Sequence, residues 1–144
     1  MDSVDRIVDH VIRRLQGVKD GAQHWNDNES TRRNMLALQA SNNNLNEARE
    51  IKMLPNSQIP NKLQERYNHC KYWENQFNEG WGGHDNTYAG WCHKEAKDAY
   101  YDAILKCKAL GETVTRVLTL GWFLSSKTLT PAREKTLSRR PLLS

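Results

Sequence analysis

Cysteine is scarce in this chain of 144 residues: Cys70, Cys92 and Cys107 are an odd number at wide spacing. They imply no disulfide framework, and buried free thiols in a reducing compartment are the simpler reading. Long apolar runs are also missing. The longest, Val114 to Leu124, is about half a bilayer span and contains Arg116, which excludes a membrane-spanning helix there. The opening Met-Asp-Ser-Val-Asp-Arg lacks the apolar core of a secretory signal. The reading is therefore intracellular and cytoplasmic, with a nuclear location open to a eukaryotic or viral chain. Asn28-Glu29-Ser30 matches the glycosylation pattern but is idle without secretion.

Several chemical signatures are absent as well. No Glu-x-x-His occurs, so the carboxylate pattern of di-iron bundles is excluded. No Cys-x-x-Cys or His-x-x-x-His occurs either. The glycine-rich stretch Gly80-Trp81-Gly82-Gly83 is followed by no Lys-Ser/Thr and preceded by no strand, so it is no phosphate loop. It reads as a link between two helices. Nothing near the three cysteines would activate them as nucleophiles, and Cys92 and Cys107 are expected to be buried and inert. No catalytic residue and no cofactor is read from these patterns.

The net charge of +4 is unevenly placed. Residues 125–144 carry Lys127, Arg133, Lys135, Arg139 and Arg140 against Glu134 alone. Taking those five and one from totals of 21 and 17 leaves the first 124 residues with sixteen charges of each sign. A neutral body argues against a nucleic-acid-binding surface on the folded part. The basic residues belong to a Ser/Thr/Pro-containing stretch that reads as a disordered tail.

Helical periodicity fills the rest. Tyr88, Cys92, Ala96, Ala99, Ala103, Cys107 and Leu110 recur at steps of four and three, one buried stripe of small residues that invites close approach by a partner helix. Lys94 and Asp98 fall off it, four apart, and so do Asp102 and Lys106. Val4, Ile7, Val8, Val11, Ile12, Leu15 and Val18 form an amphipathic first helix, with Asp2 or Ser3 as its cap and Gln23 to Asn28 as a following loop. Asn28 can cap a second helix carrying Met35, Leu36, Leu38, Leu45, Ala48 and Ile51, in which Asn42-Asn43-Asn44 leaves one helix or two open. Pro55 ends it and Pro60 starts a third, with Leu63, Tyr67, Cys70, Trp73 and Phe77 on one side. Gly80 ends that helix, Asp85 or Asn86 caps the fourth, and Gly111 terminates it.

The expected fold is all-α: an antiparallel bundle of four main helices (3–19, 29–54, 60–79 and 86–110) with 112–124 as a short fifth, followed by the tail. The domain is 1–124. The best candidates for a partner-binding patch are Trp73, Trp81, Tyr88 and Trp91, because Trp and Tyr dominate binding hot spots. A non-enzymatic regulatory or interaction module is the leading expectation, its partner another protein or a second copy of the chain. One alternative is nucleic-acid association, with Lys127, Arg133, Lys135, Arg139 and Arg140 supplying charge and the aromatics stacking on bases. Another is a zinc-stapled module drawing on His69, Cys70, His84, Cys92 and His93, whose spacing fits no zinc pattern; the bland reading buries the thiols and exposes the histidines.

Overall fold

The computed structural model describes the backbone of residues 3–81, 83 and 87–125, and the side chains of that set apart from residues 3 and 112–125. Four helices, α1 (Ser3–Asn28), α2 (Arg32–Lys52), α3 (Ile59–Asn78) and α4 (Thr87–Ser125), make up the described chain together with a 3-10 turn at Asn56–Gln58. The fold is all-α, with no strand among the described residues. No described helix is long and apolar enough to cross a membrane. The chain forms two compact units, Met1–Ile104 and Leu105–Ser144. The first contains α1, α2, α3 and the start of α4. The second is described as the continuation of α4 to Ser125.

Helix α1 turns Val8, Val11, Leu15 and Ala22 inward. It runs on through the expected loop at Gln23–Asn28, which forms its last turns. Gln23 bonds Asp27 (2.8 Å) across one turn, and Asn28 bonds the His24 carbonyl (3.0 Å). Thr31, not Asn28, caps α2: its hydroxyl accepts from the Asn34 N–H (3.1 Å). Buried Asn34 then donates its side-chain amide to the carbonyls of Trp25 (3.2 Å) and Glu29 (2.8 Å), tying the end of α1 to the start of α2.

Helix α2 is a single helix through Asn42-Asn43-Asn44, because Asn44 points inward and finds partners there. It lies antiparallel to α1, as the Arg49–Gln16 hydrogen bond (2.8 Å) and the Lys52–Asp9 ion pair show. Pro60 sits in the first turn of α3, which it suits by lacking an N–H. Helix α3 buries Ile59, Leu63, Cys70 and Phe77.

Helix α4 buries the small-residue stripe: Cys92, Ala96, Ala99 and Ala103 in the first unit, Cys107 in the second. Ala89, His93, Tyr100 and Ile104 widen the buried face. The helix expected over 112–124 is present, but as the continuation of α4 rather than as a separate fifth piece: α4 passes Gly111 without a stop and runs unbroken from Thr87 to Ser125. A single glycine costs a helix only about 1 kcal/mol, which does not break it. The expected pairing of Lys94 with Asp98 forms at 2.9 Å. The caps expected at Asp2, Asp85 or Asn86 and the tail from 126 lie outside the described residues.

The core of the first unit has an apolar cluster of Ala22, Ala37, Ala40, Phe77, Ala89 and Cys92, with Val18, Leu36, Leu38, Trp73 and Tyr88 packed against it. Leu45, Ala48, Ile51 and Leu63 form the buried stretch nearer the α2–α3 turn. Along α2 and α3, polar Ser41, Asn44 and Arg66 fall between these two sets.

Candidate functional site

The end of α3 shows how the sequence places its aromatics. Gly80 adopts a left-handed backbone (φ 97°), which costs glycine nothing. Its N–H bonds the Phe77 carbonyl and the Trp81 N–H bonds the Gln76 carbonyl, both at 3.1 Å. This pair of bonds is the Schellman arrangement, which turns the chain back over the last helical turn. Trp81 is thereby laid edge-on against Trp73 (centroids 5.5 Å) and Phe77 (5.3 Å). Tyr72 meets Trp73 at 5.4 Å in the same geometry. On α4, Trp91 packs beside Tyr88 (5.9 Å), and the Arg33 guanidinium sits 5.2 Å over the Tyr88 ring.

The four candidates thus come together as two close pairs, Trp73 with Trp81 and Tyr88 with Trp91. Trp73 and Tyr88 are half-buried and help to cover the apolar cluster. Trp81 is 50% exposed and Trp91 46%. Trp25, read as part of a loop, is a helical residue 57% exposed.

Periodicity missed the buried polar cluster. Asn44, 2% exposed, accepts at Oδ1 from Arg66 (3.2 Å) and from the Cys70 thiol (3.5 Å). Its side-chain nitrogen faces His93 Nδ1 at 3.4 Å, and its carbonyl accepts from the Tyr100 hydroxyl at 3.2 Å. With the Asn44 amide donating, the neutral His93 ring carries its proton on Nε2. His93 stacks on Phe77 (5.6 Å) and Trp73 (6.3 Å), so the expectation that the histidines are exposed fails for it and holds for His69. Arg66 reaches Glu47 at 3.8 Å, while its Nε has no partner. The Ser41 hydroxyl approaches the Cys92 thiol and has no oxygen or nitrogen partner.

Burial dominates the electrostatics of this cluster. It pushes the Cys70 thiol up to about 12, with Arg66 pulling the other way, and the Cys92 thiol up to about 11. Tyr100 is raised for the same reason, and burial separately raises Cys107, which belongs to the second unit. His93 is lowered to about 4 by burial and then by the positive charges of His69 and Arg66. At neutral pH the cluster holds protonated thiols and a neutral imidazole, a set suited to hydrogen bonding inside a core rather than to nucleophilic attack.

Among the described residues, no group of three or more His, Cys, Asp or Glu side chains is placed to hold a metal ion. His69, Cys70, Cys92 and His93 therefore form no such group, and His84 lies outside the described residues. So do Lys127, Arg133, Lys135, Arg139 and Arg140. No family model matches this chain, nor does any curated protein or solved structure compared with it.

Proposed function

We propose that this chain is a non-enzymatic helical interaction module that offers its exposed aromatics to a protein partner. One observation carries the reading: of the four described tryptophans only Trp73 packs against the core cluster, and the other three are about half exposed or more. Indole rings are among the commonest anchors of binding surfaces. Trp81 is also held in place on Trp73 and Phe77, so little freedom is lost when a partner covers it. The raised thiols and the neutral His93 supply no activated nucleophile, which supports a role in binding.

The test compares the parent chain with a Trp81→Ala/Trp91→Ala variant as bait for partner capture. The expected result is an unchanged circular dichroism spectrum and lost capture, each ring being worth about 2 kcal/mol or more of binding. A variant that unfolds, or one that captures as the parent does, overturns the reading.

A further inference from the structure

Helix α2 has a second face that the core does not use. Its buried residues, from Asn34 to Ile51, look into the bundle. Arg32, Met35, Gln39, Asn43, Asn46 and Glu50 are all exposed on the opposite side. At 100° per residue they fall within an arc of about 80°, a single outward stripe. Met35 is 54% exposed on it. A hollow of about 580 Å³ opens on the same helix, lined by Arg32, Met35, Leu36, Leu38, Gln39 and Asn42 with Asn26 at its edge. The Asn26 side-chain oxygen has no hydrogen-bond partner there.

The two charges on this stripe stand at its ends. Arg32 opens α2 and Glu50 lies in its last turn. Their separation is about five full turns, so both point in the same direction, about 27 Å apart. Each is on the unfavourable end of the helix dipole, a cation at the N-terminus and an anion near the C-terminus, so neither stabilises α2 itself. Among the described residues, neither forms an ion pair. The neighbouring charges are engaged elsewhere: Arg33 on Tyr88, Arg49 on Gln16, Glu47 on Arg66 and Lys52 on Asp9.

That arrangement names the occupant. We infer that the outward face of α2 pairs with the same face of a second copy of this chain, the two helices antiparallel about a two-fold axis midway between Gln39 and Asn43. In that register each Arg32 meets Glu50 of the partner subunit, twice per dimer, and each Gln39 amide meets the partner's Asn43. A residue pair related by a two-fold axis contacts reciprocally, so one complementary pair gives two contacts. A parallel pairing would instead set the two Arg32 residues together and the two Glu50 residues together. Met35 comes over the partner's Asn46, and its exposed apolar surface is withdrawn from water. The antiparallel arrangement also opposes the two helix dipoles. A helix of 21 residues spans about 31 Å, and one helix pair covers less than the roughly 1,600 Å² of a standard stable interface. The dimer is accordingly weak, and its charged ends make it sensitive to salt.

Sedimentation equilibrium of the full chain tests this at low and at high salt, from about 10 µM to about 1 mM, where weak dissociation constants fall. The expected result is a mass that rises from monomer to dimer with concentration, and less steeply at high salt. Arg32→Glu alone and Glu50→Arg alone each set like charges face to face and weaken the dimer by about tenfold or more. Both changes suit the dipole of α2, so the fold is kept and the circular dichroism spectra stay alike. The Arg32→Glu/Glu50→Arg double variant exchanges the charges and restores association. A mass that stays monomeric throughout, single variants that associate like the parent, or a double variant that is not restored would each overturn the proposal. The Trp81→Ala/Trp91→Ala variant dimerises like the parent. The two proposals use different residues, and failure of one leaves the other standing.

Discussion

Four groups from α3 and α4 converge on Asn44: the Arg66 guanidinium, the Cys70 thiol, the His93 ring and the Tyr100 hydroxyl. An asparagine serves here because it offers an acceptor and a donor on one short side chain, and its own carbonyl adds a second acceptor. The cluster fixes the register of three helices, since sliding any one of them would strand a buried polar group at about 1–3 kcal/mol each. It also makes stability depend on pH. Folded His93 titrates at about 4 because of burial first and of His69 and Arg66 second. In the unfolded chain it takes its proton near the ordinary value of about 6.5. Between those values the unfolded state binds more protons than the native one, so stability falls as pH drops through that window. The contribution is complete above about pH 6.5 and lost by about pH 4, on the order of 3 kcal/mol. Urea unfolding at about pH 7, 5.5 and 4.5 checks it against His93→Gln, which keeps a polar group of similar reach. Carboxylates titrate in both proteins and cancel. The variant is expected to lose less stability on acidification than the parent; equal losses would remove His93 from this role.

At the scale of the helix, two glycines separate propensity from packing. Gly17 lies exposed in α1, and a Cβ built there meets nothing within 4 Å. Gly17→Ala is expected to stabilise the fold by about 1 kcal/mol, the usual helix preference of alanine. Gly90 lies buried in α4, where a Cβ would stand 3.0 Å from the Phe77 Cβ. That atom is fixed to the α3 backbone, and its ring is held by Trp73, Trp81 and His93, so α3 itself must move. Gly90→Ala is expected to destabilise by about 1–2 kcal/mol despite the same gain in propensity. Thermal melts of the two variants should shift in opposite directions. The α4 stripe was legible because Cys92, Ala96, Ala99, Ala103 and Cys107 obey one period and one chemistry. The ends of α1 and α4 were not. Gln23–Asn28 and Gly111 carry residues that loosen helices in isolation, and local hydrogen bonds and ladder continuity override them. The inward turn of Asn44, Arg66 and His93 was hidden for a different reason. A periodicity argument assigns polar residues to water, and only tertiary partners on other helices reverse that. Trp81 and Trp91 were legible as aromatics, and Tyr88 lies three residues before Trp91 on α4, a pairing that helical spacing supplies. The packing of Trp81 on Trp73 and Phe77 follows from the Schellman turn, and the cover of Tyr88 by Arg33 comes from another helix, neither of which a single-helix pattern contains.

At the scale of the whole chain, charge is the organising quantity. The first 124 residues balance sixteen cations against sixteen anions, and the remaining twenty hold a net charge of +4. A neutral body exerts little long-range pull, so the partner proposed for Trp81 and Trp91 is recognised by contact and shape rather than by steering. The alternative of nucleic-acid association draws its charge from residues 125–144. Binding to single-stranded nucleic acid releases counterions in proportion to the phosphates neutralised, with a slope of about −0.7 per contact. Lys127, Arg133, Lys135, Arg139 and Arg140 therefore bound the log–log salt slope at about −3.5 if all five engage. Replacing the five with Gln in the full chain removes that excess, and binding to a single-stranded oligonucleotide at about 150 mM salt is expected to disappear. A slope steeper than that bound, or binding that persists in the five-fold Gln variant, would place cationic contacts on the helical body and contradict the neutrality from which its binding mode is argued.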